Sequence, residues 1–301
     1  MRGGPTQWDR STGSALAVLK MMRIKSTADE NGEAVTLAAK YGEWALVAGG
    51  AAGMGGAFCD RLAREGMNVV ICDRDAAALS GKCAQLEQDF GIRAVPVVVD
   101  LGETNALATV RESTDGLDID VLVYNAGLAS MALFTDRDID YEMYRLNVNV
   151  RTMLALSLWF SREMKARGRG ALILLSSVGG TVGTPYVQTY SASKAYALTL
   201  AEALWGELGD FGIDVLGVLP GNTIGQSFSD VPPGTPGFQT GAEVVEEAFS
   251  ALGTDPAVIT GEHNRRLLGS SFDVETRKTT IVTMKEQMQS LLQQYGSGTD
   301  S

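Results

Sequence analysis

The sequence predicts a doubly wound α/β fold, in which helices cover both faces of a parallel sheet. Apolar runs of strand length recur at residues 44–48, 68–72, 94–99, 119–123, 171–175 and 213–219, with stretches of helical periodicity between them. A glycine-rich turn follows the first run, and a helix follows the turn. Strands that alternate with helices in this way form one parallel sheet, with ligands at the carboxyl ends of the strands. A chain of 301 residues with 45% hydrophobic content is enough for one large α/β domain with additions.

The first element, Trp44-Ala45-Leu46-Val47-Ala48, reads as a short buried strand that runs straight into Gly49-Gly50-Ala51-Ala52-Gly53-Met54-Gly55-Gly56. Residues 57 to 65 then place Phe58, Leu62 and Ala63 at helical spacing, and Gly66 ends that helix before Val69-Val70-Ile71-Cys72. Glycines at such a turn let the backbone approach a pyrophosphate, and they leave the helix N-terminus with its unpaired N–H groups facing the anion. Gly49, Gly53 and Gly55 are the ones this requires. Asp73 ends the second strand about twenty residues later, where a carboxylate accepts hydrogen bonds from ribose hydroxyls. The plainer alternatives are a simple turn and a solvated strand-end carboxylate; the order of the elements favours the binding reading.

Further along, Ser177 lies thirteen residues before Tyr190, and Tyr190-Ser191-Ala192-Ser193-Lys194 puts a phenol and an amine four apart on one helix face. A phenol with a pKa of about 10 is a poor acid or base near neutrality. A neighbouring ammonium favours the phenolate and tunes it for general acid–base work. Chance alone supplies about 0.2 such Tyr–Lys pairs in a chain of this composition, so the pair gains its meaning from the glycine turn upstream. Ser176 and Ser177 are both able to cap a strand-end turn; the offset from Tyr190 selects Ser177.

With these motifs in order, residues 41 to 262 resemble the short-chain dehydrogenases/reductases. The family's Thr-Gly-x-x-x-Gly-x-Gly appears as Ala48-Gly49-Gly50-Ala51-Ala52-Gly53-Met54-Gly55, and its Asn-Asn-Ala-Gly as Tyr124-Asn125-Ala126-Gly127. Pro220-Gly221 follows the strand ending at Leu219, as in the segment that closes over a nicotinamide. The resemblance implies a Rossmann-type doubly wound sheet in a single catalytic domain. It implies hydride transfer between a nicotinamide cofactor and a secondary alcohol or ketone, with Tyr190 as general acid/base and Ser177 binding the same substrate oxygen. It also implies that Lys194 holds the nicotinamide ribose and lowers the Tyr190 pKa, and that Asn149 keeps a water linking the lysine to solvent. The cofactor-binding set it implies is Gly49, Gly53, Met54, Gly55, Asp73, Arg74, Asp100, Leu101, Asn125, Ala126, Gly127, Tyr190, Lys194, Pro220, Gly221 and Thr223. Asp100 and Leu101 are expected to flank the adenine. Ala48 and Tyr124 depart from the family pattern, and so does Gly225, where a threonine often holds the nicotinamide carboxamide.

Asp73 opposes a 2′-phosphate and Arg74 attracts one; Ala52 offers no cation beside Gly53. The acidic residue is the better-attested determinant, so NAD is expected in preference to NADP. Two alternatives stand beside this reading. One is NADPH-dependent reduction of a ketone, steroid or oxoacyl thioester, since Lys40-Tyr41-Gly42-Glu43-Trp44-Ala45-Leu46-Val47 looks like relatives of that kind. The other is a nucleotide-binding sensor or scaffold without turnover, against which the intact Ser177, Tyr190 and Lys194 set argues.

A net charge of −11 with no basic run argues against nucleic acid and anionic lipid as partners. Cys59, Cys72 and Cys83 have no metal-ligand spacing and read as small buried side chains in a reducing compartment. The lone His263 reads as a loop or surface residue, and no metal is expected. Residues 1–40 read as a flexible extension, with translation starting at Met21 or Met22 as one option. Their apolar stretch Ala15 to Leu19 is too short for a signal peptide or a membrane span, and Asp9 precedes it. A soluble, cytoplasmic protein is expected.

The C-terminal tail, 263–301, carries Ile281, Met284, Met288, Leu291, Leu292 and Tyr295 at helical spacing from Val274 onward, which predicts an amphipathic docking or subunit-contact helix. In the family, helices at about 141–166 and 191–209 pack against another copy, which implies a homodimer or homotetramer. Asn222 to Gly241, with Pro232, Pro233 and Pro236, is long for a connection and reads as a substrate lid. With Tyr186 and Val187 it is expected to shape the substrate pocket. It has no paired basic residues to clamp an anion, so a neutral, apolar alcohol or ketone is the expected substrate.

Overall fold

All six predicted strands form, at Trp44–Ala48 (β1), Asn68–Asp73 (β2), Ala94–Val98 (β3), Ile119–Tyr124 (β4), Gly170–Leu175 (β5) and Ile213–Leu219 (β6). They belong to a computed structural model that describes residues 36–225, 230–269 and 272–295. Ala15 to Leu19, Met21 and Met22 lie outside the described residues, as do the side chains of Met284, Met288, Leu291, Leu292 and Tyr295. Among the described residues, a two-residue pair forms at Asn222–Thr223 (β7) and Phe238–Gln239 (β8), and a seventh sheet strand at Ala257–Ile259 (β9). The sheet order is β3-β2-β1-β4-β5-β6-β9, and every pairing is parallel. The order reverses between β1 and β4, which opens a crevice at the carboxyl ends of those two strands.

One helical layer is Gly53–Arg64 (α2), Ala76–Phe90 (α3) and Gly241–Ala251 (α8), after a short Leu37–Tyr41 (α1). Phe58, Leu62, Leu79, Leu86, Val244 and Val245 face Val47, Val69 and Ile71 across that layer. The helix predicted over 57–65 begins earlier, at Gly53, so the glycine motif itself supplies its first turn. The opposite layer is Ala106–Ser113 (α4), Ile139–Leu146 (α5), Thr152–Arg167 (α6) and Gln188–Leu208 (α7). There Met153, Leu156, Phe160 and Ala201 pack on Leu46, Leu122 and Leu172. Each large apolar side chain buried this way contributes about 1.5–3 kcal/mol.

The amino ends of the strands carry ionic supports. Tyr41 donates to Asp214 at 2.7 Å and Lys40 pairs with the same carboxylate at 2.9 Å. Asp120 is buried and meets Arg167 at 3.2 Å. The carboxyl ends are thereby left to the site.

The tail forms a short helix, Glu262–Leu268 (α9), and then the predicted helix, Val274–Tyr295 (α10). α10 lies against α7: Val282 is buried, Arg277 pairs with the Glu202 carboxylate, and Ile281 sits where a Cβ on Gly206 would come within 2.7 Å of its Cγ2. Phe272 joins Leu198, Leu219, Ala257 and Ile259 in a third cluster. His263 is exposed, and all three cysteines are free and buried. Among the described residues no helix is long and apolar enough to cross a membrane.

Gly206→Val is expected to displace α10, because a branched side chain has no space under Ile281. Overpacking of this kind costs about 1–3 kcal/mol. Urea unfolding reads the loss, and limited proteolysis reads the release of residues 274–295.

Candidate active site

The turn after β1 is built for close backbone approach. A Cβ on Gly55 would lie 1.9 Å from the Gly49 carbonyl oxygen, and Gly53 adopts φ +58, a left-handed conformation that glycine accepts without strain. Asn125 donates through Nδ2 to the Gly49 carbonyl at 2.7 Å, while the Asn125 and Ala126 amides both donate to Ala48 at 3.0 and 2.8 Å. Ala48, in place of the family's threonine, thus contributes its backbone carbonyl to the turn. Ala52 precedes α2 with no side-chain cap, so the first N–H groups of that helix face the crevice, where they fit an anion such as a pyrophosphate. Met54 lies in that first turn.

At the outer end of the crevice, Asp73 accepts the Ala51 amide and the Asp75 amide, each at 3.2 Å, so the carboxylate braces the glycine turn from the end of β2. Tyr144 on α5 donates its hydroxyl to both Asp100 oxygens at 2.8 Å, and Arg74 reaches that hydroxyl at 3.4 Å. Burial, and then the Asp100 carboxylate, push the Tyr144 phenol above its ordinary value. No spacing rule in the sequence links Tyr144 to Arg74 and Asp100. Leu101 is buried in the core and its carbonyl accepts the Thr152 hydroxyl at 2.7 Å.

Ser177, Tyr190, Lys194 and Asn149 converge at the ends of β4 and β5. Lys194 is buried, and its Nζ donates to the Leu175 carbonyl at 2.7 Å. Ser176, the serine set aside by the offset argument, donates to the Lys194 carbonyl at 2.7 Å and so ties α7 to the strand end. Burial pulls the Lys194 amine down to about 8. Lys194 Nζ lies 5.8 Å from the centre of the Tyr190 ring. Burial pushes the Tyr190 phenol up, and its hydrogen bond with Ser177 draws it back part of the way. The Ser177 hydroxyl also accepts the Gly179 amide at 3.1 Å, so the cap and the convergence on Tyr190 coexist.

Asn149 stands on a π-helical turn, Asn147–Arg151, inserted between α5 and α6. Its Oδ1 accepts the Leu128 amide at 2.8 Å, and its Nδ2 donates to the Leu128 carbonyl and to Ser193, both at 3.0 Å. Tyr124, a second departure from the family pattern, is buried and donates to the Val148 carbonyl at 2.6 Å. The phenol thus braces the π turn from β4. Gly127 completes this corner: a Cβ there would lie 3.1 Å from Lys194 Nζ.

Pro220 and Gly221 close the far side. The Pro220 carbonyl accepts the Val178 amide at 3.0 Å and the Ser177 hydroxyl at 3.4 Å, and Thr223 donates to Gly221 at 3.3 Å. The loop read as a lid leaves and returns through the β7–β8 pair; its residues 226–229 lie outside the described residues. A cavity of about 460 Å³ lies along the loop between Ser177 and Tyr190, lined by residues 180–185 with Gln188, Ser191, Ala192 and Ala195. Tyr190 and Lys194 are not among its lining residues, so it adjoins the convergence point without being that point.

Comparison with known proteins finds a matching family and several relatives. The family model for short chain dehydrogenases matches residues 43–232. A 7beta-hydroxysteroid dehydrogenase of Collinsella aerofaciens is 34% identical over 238 residues, 77% of this chain and 90% of that protein. One from Mediterraneibacter gnavus is 35% identical over the same shares. A very-long-chain 3-oxoacyl-CoA reductase of Anas platyrhynchos is 30% identical over 60% of this chain and 59% of that protein. Among solved structures, one of a 7beta-hydroxysteroid dehydrogenase matches with a TM-score of 0.74 and 32% identity, covering 82% of this chain and 99% of that one.

Two outcomes follow from the buried groups. Tyr124→Phe leaves the Val148 carbonyl without its donor, which costs about 1–3 kcal/mol by denaturant unfolding. For Lys194, the folded pKa near 8 lies below the unfolded value of about 10.4. Between those values the unfolded chain binds more protons, so wild-type stability rises with pH across that window. Lys194→Met removes this rise, and urea unfolding of both proteins at pH 7 and pH 9.5 measures the difference.

Proposed function

Because this chain belongs to the short-chain dehydrogenase family, we propose that it interconverts a secondary hydroxyl and a ketone on a bulky, neutral alicyclic molecule of steroid size. The chain is an oxidoreductase that uses a nicotinamide dinucleotide. The observation that carries the proposal is the convergence of Ser177, Tyr190 and Lys194 beside a glycine turn whose uncapped helix fits a pyrophosphate. The bound nicotinamide supplies or accepts the hydride.

The protein's part is to hold the carbonyl and move one proton. Tyr190 donates its proton to the carbonyl oxygen in reduction and recovers it from the hydroxyl in oxidation, while the Ser177 hydroxyl binds the same oxygen. Its phenol is held above its ordinary value, so at neutral pH it is protonated and ready for the reductive direction. Lys194 binds the nicotinamide ribose, and its amine, while charged, favours the phenolate of Tyr190 for oxidation. Asn149 fixes the Leu128 backbone beside the amine and keeps the water that links it to solvent. Gly49, Gly53, Met54 and Gly55 hold the pyrophosphate; Asp100 and Leu101 flank the adenine; Asn125, Ala126, Gly127, Pro220, Gly221 and Thr223 line the nicotinamide half. Residues 41–262 form the catalytic domain.

NAD is the favoured cofactor. Asp73 stands at the ribose end with Asp100 nearby, and the single Arg74 is engaged by the Tyr144 hydroxyl. The Asp73 carboxylate disfavours a 2′-phosphate, and the Tyr144 hydroxyl that Arg74 reaches is itself bound to Asp100. The substrate class rests on the hydroxysteroid relatives and on the apolar surroundings of the site. Leu154 and Leu158 stand exposed on α6, which supports subunit contact through that helix in a homodimer or homotetramer. The free, buried cysteines support a cytoplasmic location.

Tyr190→Phe is expected to lower turnover of a hydroxysteroid or oxosteroid about 10²–10⁴-fold while NADH binding persists. A nucleotide-binding protein without turnover would instead show no steroid-dependent change at 340 nm in either protein. In fluorescence titrations, wild-type protein is expected to bind NADH more tightly than NADPH, and Asp73→Ser to narrow or reverse that order. Equal binding of both cofactors in the wild type would overturn the role given to Asp73.

A further inference from the structure

Tyr186 is the one non-glycine residue with positive φ among the described residues, at φ +67. A left-handed tyrosine is costly and persists only where its surroundings over-determine it. Two donors converge on its carbonyl: Arg137 Nη2 at 2.6 Å and the Ala132 amide at 3.0 Å. Arg137 itself is almost fully buried and fully engaged. Its other bonds go to Gln188 at 3.2 Å, the Ser130 hydroxyl at 3.2 Å, the Ser130 carbonyl at 3.0 Å and Glu142 at 2.7 Å. Glu142 is shared with Arg145, whose side chain is 0% exposed and which also bonds Ser130. Burial raises the Glu142 carboxyl, but hydrogen bonds from Thr189 and Arg137 and the charge of both arginines outweigh it and hold the group below its usual range.

This cluster joins three segments: the strand-end loop at Ser130, the start of α5, and residues 186–189, one turn ahead of Tyr190. Two buried cations around one carboxylate are a poor source of stability, since desolvation opposes their attraction. Their effect is geometric. They clamp the segment carrying Met131, Leu133 and Phe134 against the segment carrying Val182 and Tyr186. All five of these side chains are exposed, Phe134 at 67% and Tyr186 at 52%. Exposed apolar side chains on two segments joined by the Ala132–Tyr186 hydrogen bond, just ahead of Tyr190 in the chain, have the character of a recognition surface.

We propose that this lip, residues 131–134 and 182–186, receives the fused-ring body of the substrate, and that Tyr186 is its specificity-determining residue. Arg137 is the positioning residue that holds Tyr186 in its left-handed conformation. The inference rests on the proposed ketone chemistry at Tyr190, and continuity with that site is the reason for choosing a ring ketone over a second protein copy as the occupant.

The test compares an oxosteroid with cyclohexanone for the wild type and for Tyr186→Asn, Phe134→Ser, Arg137→Met and Arg137→Lys. Asparagine tolerates the left-handed backbone, so Tyr186→Asn removes the ring and keeps the turn. The kcat/KM ratio of steroid to cyclohexanone is expected to fall at least tenfold in Tyr186→Asn and Arg137→Met, through KM for the steroid. Phe134→Ser moves it the same way, and Arg137→Lys recovers part of the ratio. An unchanged ratio in Tyr186→Asn and Phe134→Ser, or loss of both substrates in equal measure, would overturn the proposal. So would an unchanged ratio accompanied by dissociation in sedimentation, which would assign the lip to a subunit interface. If the wild type turns over neither ketone, the functional reading fails first. Equilibrium dialysis of the steroid against NADH-loaded wild type and Tyr186→Asn then tests the lip alone: weaker binding by the variant supports it, and equal binding or none by either protein rejects it.

Discussion

The site depends on where one buried amine puts its protons. Lys194 is buried between α7 and the end of β5, and a buried ammonium without partners is strongly unfavourable. Its bond to the Leu175 carbonyl, at the end of β5, supplies a partner, and the Ser176 hydroxyl returns a bond to the Lys194 carbonyl. Helix and strand are thereby stitched together in both directions. Tyr190, one turn earlier on the helix, and Ser177, two residues beyond the strand end, then meet without further adjustment.

The remaining supports extend this stitch outward. The Asn149 amide grips Leu128 on both its N–H and C=O, and its other bond reaches Ser193, next to Lys194. A π turn carries Asn149 into place, and such turns, which widen the helix by one residue, are frequent at functional sites. Tyr124 braces that turn from the neighbouring strand. Beyond it, Arg137, Glu142 and Arg145 tie the same loop to the start of α7. Each of these groups is buried or half-buried, and each acts by placing backbone.

Much of the fold was legible because the strands are short apolar runs of one kind, and glycines mark the turn and end the first helix. The strand Ala257–Ile259 was not, since three residues at a sheet edge carry no periodicity. The helix start at Gly53 was hidden for the opposite reason: glycine is a poor helix former, and here it is required by backbone approach. In the site, Tyr190 and Lys194 were legible because a spacing of four on a helix is a contact rule. Tyr124 was recognised as a departure, but its bond to Val148 spans 24 positions and has no local signature. Arg137, Glu142 and Arg145 look like ordinary surface charges until the loop at Ser130 folds over them. Tyr144 was invisible because its partners Asp100 and Arg74 lie 44 and 70 positions away.

The most direct test of this account is a titration of the Lys194 side-chain amine by nitrogen-15 NMR, with Lys194→Met used to assign its signal. A midpoint near 8 is what burial of this amine requires. A midpoint at the ordinary value of about 10.4 would place the amine in water and remove the stitch on which the site is built.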